Sequence, residues 1–321
     1  MAKETFFVKR KILNLKSAFR EKLLCDGPTF SAGDACHYGC KFCYVSNIGI
    51  TRNDLPDGVR HEDVIVRRSN PIEKLHQQLF TAKGKPKFSD SNDTRVCFSS
   101  PLVDVAATIE LSKETISICR EILTHTSWQI RLLSKSNLLP FIAKALEPYR
   151  DRIIYGVSTG TANNAIAKAF ETGTPLVTKR LESLHWLQDH GFRTYGMICP
   201  SLPQPDGNYT DFSKEICDLI RVDRCEHVWA EVINVRGESL TATSASLREG
   251  GFLDYAKALA AVSGNSALWE EYNQATFMAH SNNVPADKLR YLTYVTKKSL
   301  PFWKDQVSHG AVLLGAAAPK E

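Results

Sequence analysis

The chain of 321 residues lacks any run of eighteen apolar residues. No segment therefore has the make-up of a membrane-spanning helix. Its opening, MAKETFFVKRKILNLKSAF, has no long apolar stretch either. The expectation is neither a signal peptide nor a membrane anchor, and a cytoplasmic protein whose nine cysteines stay reduced. No internal repeat or low-complexity tract is present, which argues against solenoids and disordered linkers. Nor is there a strong excess of one charge. A net charge of +5 permits nucleic-acid binding without demanding it. Basic clusters at Lys9, Arg10, Lys11, Lys16, Arg20 and Lys22, and at Arg67 and Arg68, read either as a phosphate track or as solvated faces. Paired metal-ligand spacing is also missing. After Cys43 there is no second C-x2-C and no H-x3-H.

That last absence sharpens what is present. Cys36, Cys40 and Cys43 stand in eight residues, CHYGCKFC, with spacing C-x3-C-x2-C. Three thiolates on one tight loop can hold three irons of a [4Fe–4S] cluster and leave the fourth iron open to a substrate or cosubstrate. An electron-transfer site would want a fourth cysteine in the run. The competing readings are structural zinc and a disulfide. Zinc wants four ligands in paired spacings, and His37, directly after Cys36, is a poor fourth. Three is an odd number for disulfides.

Beyond the loop, short β runs alternate with amphipathic helices, the pattern of a parallel α/β protein. Strands are expected at 29–32, 94–99, 128–133, 153–158, 193–198 and 227–233. Helices are expected at 112–124, with Ser112 as N-cap, and at 136–146, 178–190 and 211–220. Polar stretches at 49–61 and 83–93 read as loops. The fold class is an α/β, partial (β/α)6 TIM-type barrel with a helical C-terminal appendage. Its expected parts are an N-terminal extension (1–27), the barrel (28–249) and a helical region (250–321). Helices are expected there at 256–261, 266–278 and 286–297, and a loose tail from 313.

In such barrels chemistry gathers where the strands end. Those ends carry Ser99, Lys135, Ser158, Thr159 and Asn234. A zwitterionic amino-acid group needs a cation for its carboxylate and acceptors for its ammonium, and Lys135, Ser99 and Ser158 are of those types. Ser, Thr and Gly also end strands for turn chemistry alone. Trp229 and Glu231 alternate and share one face of their strand, either lumen or outer. Asp104 and Glu171 are loop carboxylates without an assigned role. Cys119, Cys217 and Cys225 read as structural; Cys25 and Cys199 lie near strand ends.

The segments CHYGCKFCYV, VCFSS, LLSKSNLL, YGVSTGT and FETGTPLVTKRLESLHWLQDHGFRTYGMICP, in this order, resemble the spore photoproduct lyase-like branch of the radical S-adenosylmethionine (SAM) superfamily. The resemblance covers about residues 28–240. It implies a [4Fe–4S] cluster on Cys36, Cys40 and Cys43, SAM as cosubstrate, and an external electron donor such as flavodoxin or ferredoxin. It also implies that Ser99, Lys135 and Ser158, with Thr159 and Asn234 nearby, face SAM. Cys97 falls where the thymine-dimer lyases keep a hydrogen-donating cysteine; the alternative is one more buried strand cysteine. Tyr44 matches one of two tyrosines beside the third cluster cysteine. The other position is Phe42, which has no hydroxyl, and the region beyond Arg236 does not look like the lyases' DNA-wedging segment. Repair of a nucleic-acid base lesion is the first expectation. Modification of a peptide or small molecule is the second, and a non-catalytic iron–sulfur or zinc protein is an alternative of another class.

Overall fold

The structure, a computed structural model, describes residues 4–36, 38–45, 55–56, 58–99, 101–235 and 238–319. Most of the expected polar stretch at 49–61 lies outside them. The chain opens with strands β1 (Glu4–Val8), β2 (Leu13–Asn14), β3 (Thr29–Phe30), β4 (Gly33–Cys36) and β5 (Val64–Arg68), then helix α1 (Pro71–Leu79). A regular alternation follows: β6 (Val96–Ser99), α2 (Ile109–His125), β7 (Gln129–Ser134), α3 (Leu139–Ala145) and β8 (Ile153–Ser158). It continues through α4 (Asn164–Phe170), α5 (Val177–Asp189), β9 (Arg193–Ser201), α6 (Tyr209–Ile220) and β10 (Val228–Val232). The last part holds α7 (Ser239–Glu249), α8 (Leu253–Ser263), α9 (Ser266–Asn283), β11 (Leu289–Tyr294), α10 (Leu300–Asp305) and β12 (Ala311–Leu314).

One nine-stranded sheet carries the fold, in the order β12-β11-β10-β9-β8-β7-β6-β3-β2. All its pairings are parallel except β2 with β3 at one edge. The six strands β3 and β6 to β10 are the expected (β/α)6 run. A separate three-stranded sheet, β1-β5-β4, lies beside it.

Strand period two sorts the side chains. Along β7, Ile130 and Leu132 join the core under the helices, while Leu133 packs against the lumen cluster. Tyr195, Met197 and Trp229 also point into the lumen. Gly156 is needed there, because a Cβ at this position would meet the Tyr195 ring at 2.2 Å. The lumen-facing guanidinium of Arg131 lies 4.7 Å from the Trp229 ring centre.

The N-terminal segment is more than an extension. Phe19, Leu24 and Cys25 enter the lumen cluster. Arg131 donates to the carbonyl of Leu24 at 2.7 Å, and the Trp229 indole donates to the carbonyl of Lys22 at 2.9 Å. Residues 19–25 thus fill the barrel below its mouth.

Three sequence expectations are corrected. The stretch 286–297 is not a helix: Leu289–Tyr294 is a strand pairing in parallel with β10, and Ala311–Leu314 adds another beyond it. The region after 250 therefore extends the same sheet as well as adding helices. Leu289 and Tyr291 are buried against the helices and Leu292 against the lumen, so both faces are apolar and no alternation shows. The tail from 313 begins inside β12. The helix expected from Ser112 starts three residues earlier, at Ile109, with Thr108 as N-cap accepting from Leu111 N at 3.1 Å. Ser112 instead bonds back to the Thr108 carbonyl at 2.8 Å.

Candidate active site

β4 runs straight into the cysteine loop, and the three-stranded sheet anchors it. Cys36 stands opposite Ile65 of β5. Under the strand, Arg68 and Asp34 form an ion pair at 2.6 Å, with side chains 3% and 1% exposed. Gly39, at φ +63°, turns the chain in a conformation that side chains resist. The loop is then tied to the end of α4. Lys41 N donates to the Phe170 carbonyl at 2.9 Å and Gly173 N to the Tyr38 carbonyl at 2.8 Å. Phe42 packs edge-on to Phe170 at 5.7 Å.

Among the described residues, Cys36, Cys40 and Cys43 do not bring three ligand atoms within 4.8 Å of one another, whereas His76, Glu121 and His125 do. One tetrahedral zinc with Zn–S bonds of about 2.3 Å would need the thiolates closer than that. Thiolates that bind separate irons of a cluster need not lie that close. Each thiol lies close enough to feel another: Cys43 raises the pKa of Cys36, and Cys36 and Cys43 raise that of Cys40. Burial, followed by Asp104, pushes the Cys36 thiol up to about 12. The donor set therefore fits a cluster whose binding displaces thiol protons.

Facing the loop is a charged network. Lys135 Nζ lies 2.7 Å from Glu171 Oε1, 3.0 Å from Ser158 Oγ and 3.1 Å from the Cys199 carbonyl. It also lies 5.3 Å from the Phe42 ring centre. Glu171 Oε2 pairs with Arg180 at 2.6 Å. Arg180, fully buried, further donates to the Pro175 carbonyl at 2.9 Å and to Thr174 Oγ1 at 2.5 Å. Burial alone would raise the Glu171 pKa; Lys135 and Arg180 outweigh it and hold the carboxylate below its ordinary value. Asp104 braces the end of β7, accepting from Ser134 Oγ at 2.6 Å and from Lys135 N at 2.7 Å.

A second polar group lies at the mouth. Lys22 donates to both oxygens of Glu231, at 3.2 and 3.1 Å, and lies 5.4 Å from the Tyr294 ring centre. Glu231 and Trp229 therefore face the lumen, settling which face of β10 they occupy. Cys199 joins them: burial, with Glu231 next, pushes its thiol up to about 12.

The sequence-expected residues divide. Cys36, Cys40, Cys43, Lys135 and Ser158 converge on the mouth. Tyr44 follows the loop, more than a third exposed, its hydroxyl donating to the Pro101 carbonyl. Asn234 lies half-buried just past β10. Ser99 is fully buried and donates to the Arg131 carbonyl at 3.2 Å, and Thr159 donates to the Thr161 carbonyl at 2.6 Å, so neighbouring backbone engages both hydroxyls. Cys97 is corrected. It lies in the core between sheet and helices, with Cys119 nearby, while its neighbour Phe98 takes the lumen side. The strand's period of two turns the thiol away from the mouth. Sequence reasoning missed Tyr294, hidden in a segment read as helix, and the convergence of Glu171 with Arg180. The only hint of that pair was a glutamate and an arginine flanking the TGTP turn.

No protein-family model and no curated protein matches this chain. Solved structures do. A cysteine-to-serine mutant of spore photoproduct lyase aligns with a TM-score of 0.55 at 11% identity, covering 76% of this chain and 66% of that one. The fold is the radical SAM partial barrel. A double mutant of the lyase with bound AdoMet and dinucleoside spore photoproduct aligns at 0.52, with 11% identity over 70% and 61% of the two chains. The lyase complexed with the dinucleoside photoproduct aligns at 0.51, with 12% identity over 76% and 66%. This chain thus spans just under two thirds of the lyase's length.

Proposed function

We propose that this protein is a radical SAM enzyme, with Cys36, Cys40 and Cys43 holding a [4Fe–4S] cluster whose open iron receives SAM. The observation that carries the reading is the three-thiol loop, set at the carboxyl-end mouth of a parallel barrel against the Lys135–Ser158–Glu171–Arg180 network. Held by Cys36, Cys40 and Cys43, a [4Fe–4S] cluster would supply the electron for reductive cleavage of SAM, the chemistry by which radical SAM enzymes abstract hydrogen from substrate. The chain's own residues do the positioning. Lys135, fixed by Glu171 and Ser158, offers a cation to the methionyl carboxylate. Asp104 fixes the backbone beneath it. The lumen filling below the mouth excludes water from that side.

A nucleic-acid base lesion is the leading substrate class. Two things support it: the lyase structures described above and a cavity of about 620 Å³ beside the loop, lined in part by Lys11, Lys16, Phe30, Tyr44 and Arg68. Much of the basic sequence is engaged within the fold, however. Arg67 pairs with Glu114 at 2.7 Å, Arg68 with Asp34, and Lys22 with Glu231. The Lys22–Glu231 pair at the mouth favours the second reading, a peptide or small molecule with donors and acceptors side by side. An external one-electron donor, flavodoxin or ferredoxin, completes the cycle. Among the described residues, no helix is long and apolar enough to cross a membrane.

Anaerobic reconstitution should give about four irons per chain and SAM-dependent 5′-deoxyadenosine, and Cys40→Ala should abolish both. Metal uptake without SAM binding would instead support a non-catalytic metal protein. Duplex DNA binding with a steep salt dependence separates the two substrate classes.

A further inference from the structure

A second constellation lies away from the mouth, on the outer helical layer. His76 is in the last turn of α1; Glu121 and His125 stand four residues apart on α2, so they share one face of that helix. His76 Nδ1 is 2.9 Å from Glu121 Oε1, and His125 Nε2 is 3.6 Å from the same oxygen. One ligand atom from each residue lies within 4.8 Å of the other two. Four ligands at about 2.0–2.1 Å around a tetrahedral ion are spaced by roughly 3.3 Å, so these three need little adjustment. The imidazoles are also fixed in orientation. Phe80 stacks on the His76 ring at 4.1 Å and meets the His125 ring edge-on at 4.7 Å.

We propose that His76, Glu121 and His125 form a divalent transition-metal site, with zinc as the ion that this two-imidazole, one-carboxylate set suits best. Water completes the coordination, since His76 is more than half exposed. The site's placement gives it a role. α1 leaves β5 of the three-stranded sheet, and β5 pairs with β4, which ends in Cys36. α2 belongs to the barrel. An ion bridging the two helices fastens the sheet that carries the cysteine loop to the barrel wall, beside the Arg67–Glu114 pair that already links the same two parts.

The test uses full-length protein, dialysed against ZnCl2 and washed, with zinc counted by elemental analysis. Zinc held by thiols is common to all variants, so the readout is the difference between wild type and variant. His125→Ala and Glu121→Gln should each lose one zinc per chain, while the exposed-site control His309→Ala should lose none. Zinc should raise the thermal midpoint of the wild type by more than that of His125→Ala. Equal zinc content in wild type and both ligand variants would overturn the proposal. So would a zinc-dependent rise in midpoint that is equal in wild type and His125→Ala. Unchanged far-UV circular dichroism of the variants separates a lost ligand from a lost fold.

Discussion

Replacing Glu171 by glutamine probes the electrostatics of the mouth most directly. Glu171 has a side chain only 2% exposed and makes two ion pairs, at 2.7 Å to Lys135 and 2.6 Å to Arg180. Glutamine keeps the shape and removes the charge. Two cations then face each other in a buried site with no anion between them. Breaking a buried pair in this way costs about 3–5 kcal/mol. With a urea m-value of about 3 kcal/mol/M, the midpoint should fall by about 1–1.7 M. The assay is urea unfolding of the apoprotein followed by circular dichroism. A fall under about 0.3 M, equivalent to roughly 1 kcal/mol, would mean that water screens the network, and the argument would fail. pH adds a second arm. Lys135 and Arg180, outweighing burial, hold the folded carboxylate below the ordinary glutamate range. Its stabilisation is therefore complete above the unfolded pKa and is lost as pH falls through the lower folded value. The gap between wild type and Glu171→Gln should stay constant between about pH 6 and 8 and narrow only below about pH 4.5.

Further expectations follow from the same geometry. Lys135→Ala removes a charge-assisted contact of about 1.5–3 kcal/mol, so SAM affinity should fall roughly 10- to 150-fold by equilibrium titration while iron content holds. Cys97→Ala should leave the isotope content of product in deuterated solvent unchanged, because the thiol faces the helices. Its cost should appear as a loss of about 1 kcal/mol of stability. If a solvent-exchanging hydrogen is transferred to product, a changed isotope content in that variant would restore the donor role. Glu231→Gln should retain iron and SAM binding yet raise the substrate KM; unchanged kinetics would show that the Lys22–Glu231 pair only supports the fold.

Several elements were legible because their signals are local. The C-x3-C-x2-C loop needs no partner to be recognised, and the strands from β6 to β10 alternate with helices at the usual short spacing. Lys135 and Ser158 were readable as strand ends. Cys97 was not, because residues at one strand end divide between lumen and helix side by parity, and the parity depends on register. β11 was missed for a related reason: its two faces are both covered, so RYLTYV shows neither strand alternation nor a helical stripe.

The sequence by itself determined the three-cysteine loop, the parallel barrel and the cation at the end of β7, since each rests on residues close together in the chain. Only the tertiary structure decided which neighbours those residues meet. It brought Glu171 and Arg180 under Lys135, carried Lys22 across 209 positions to Glu231, and turned Cys97 outward. The physical reason is that a buried charge or thiol takes its character from the groups packed around it. In this fold those groups come from strands and loops far apart in the chain.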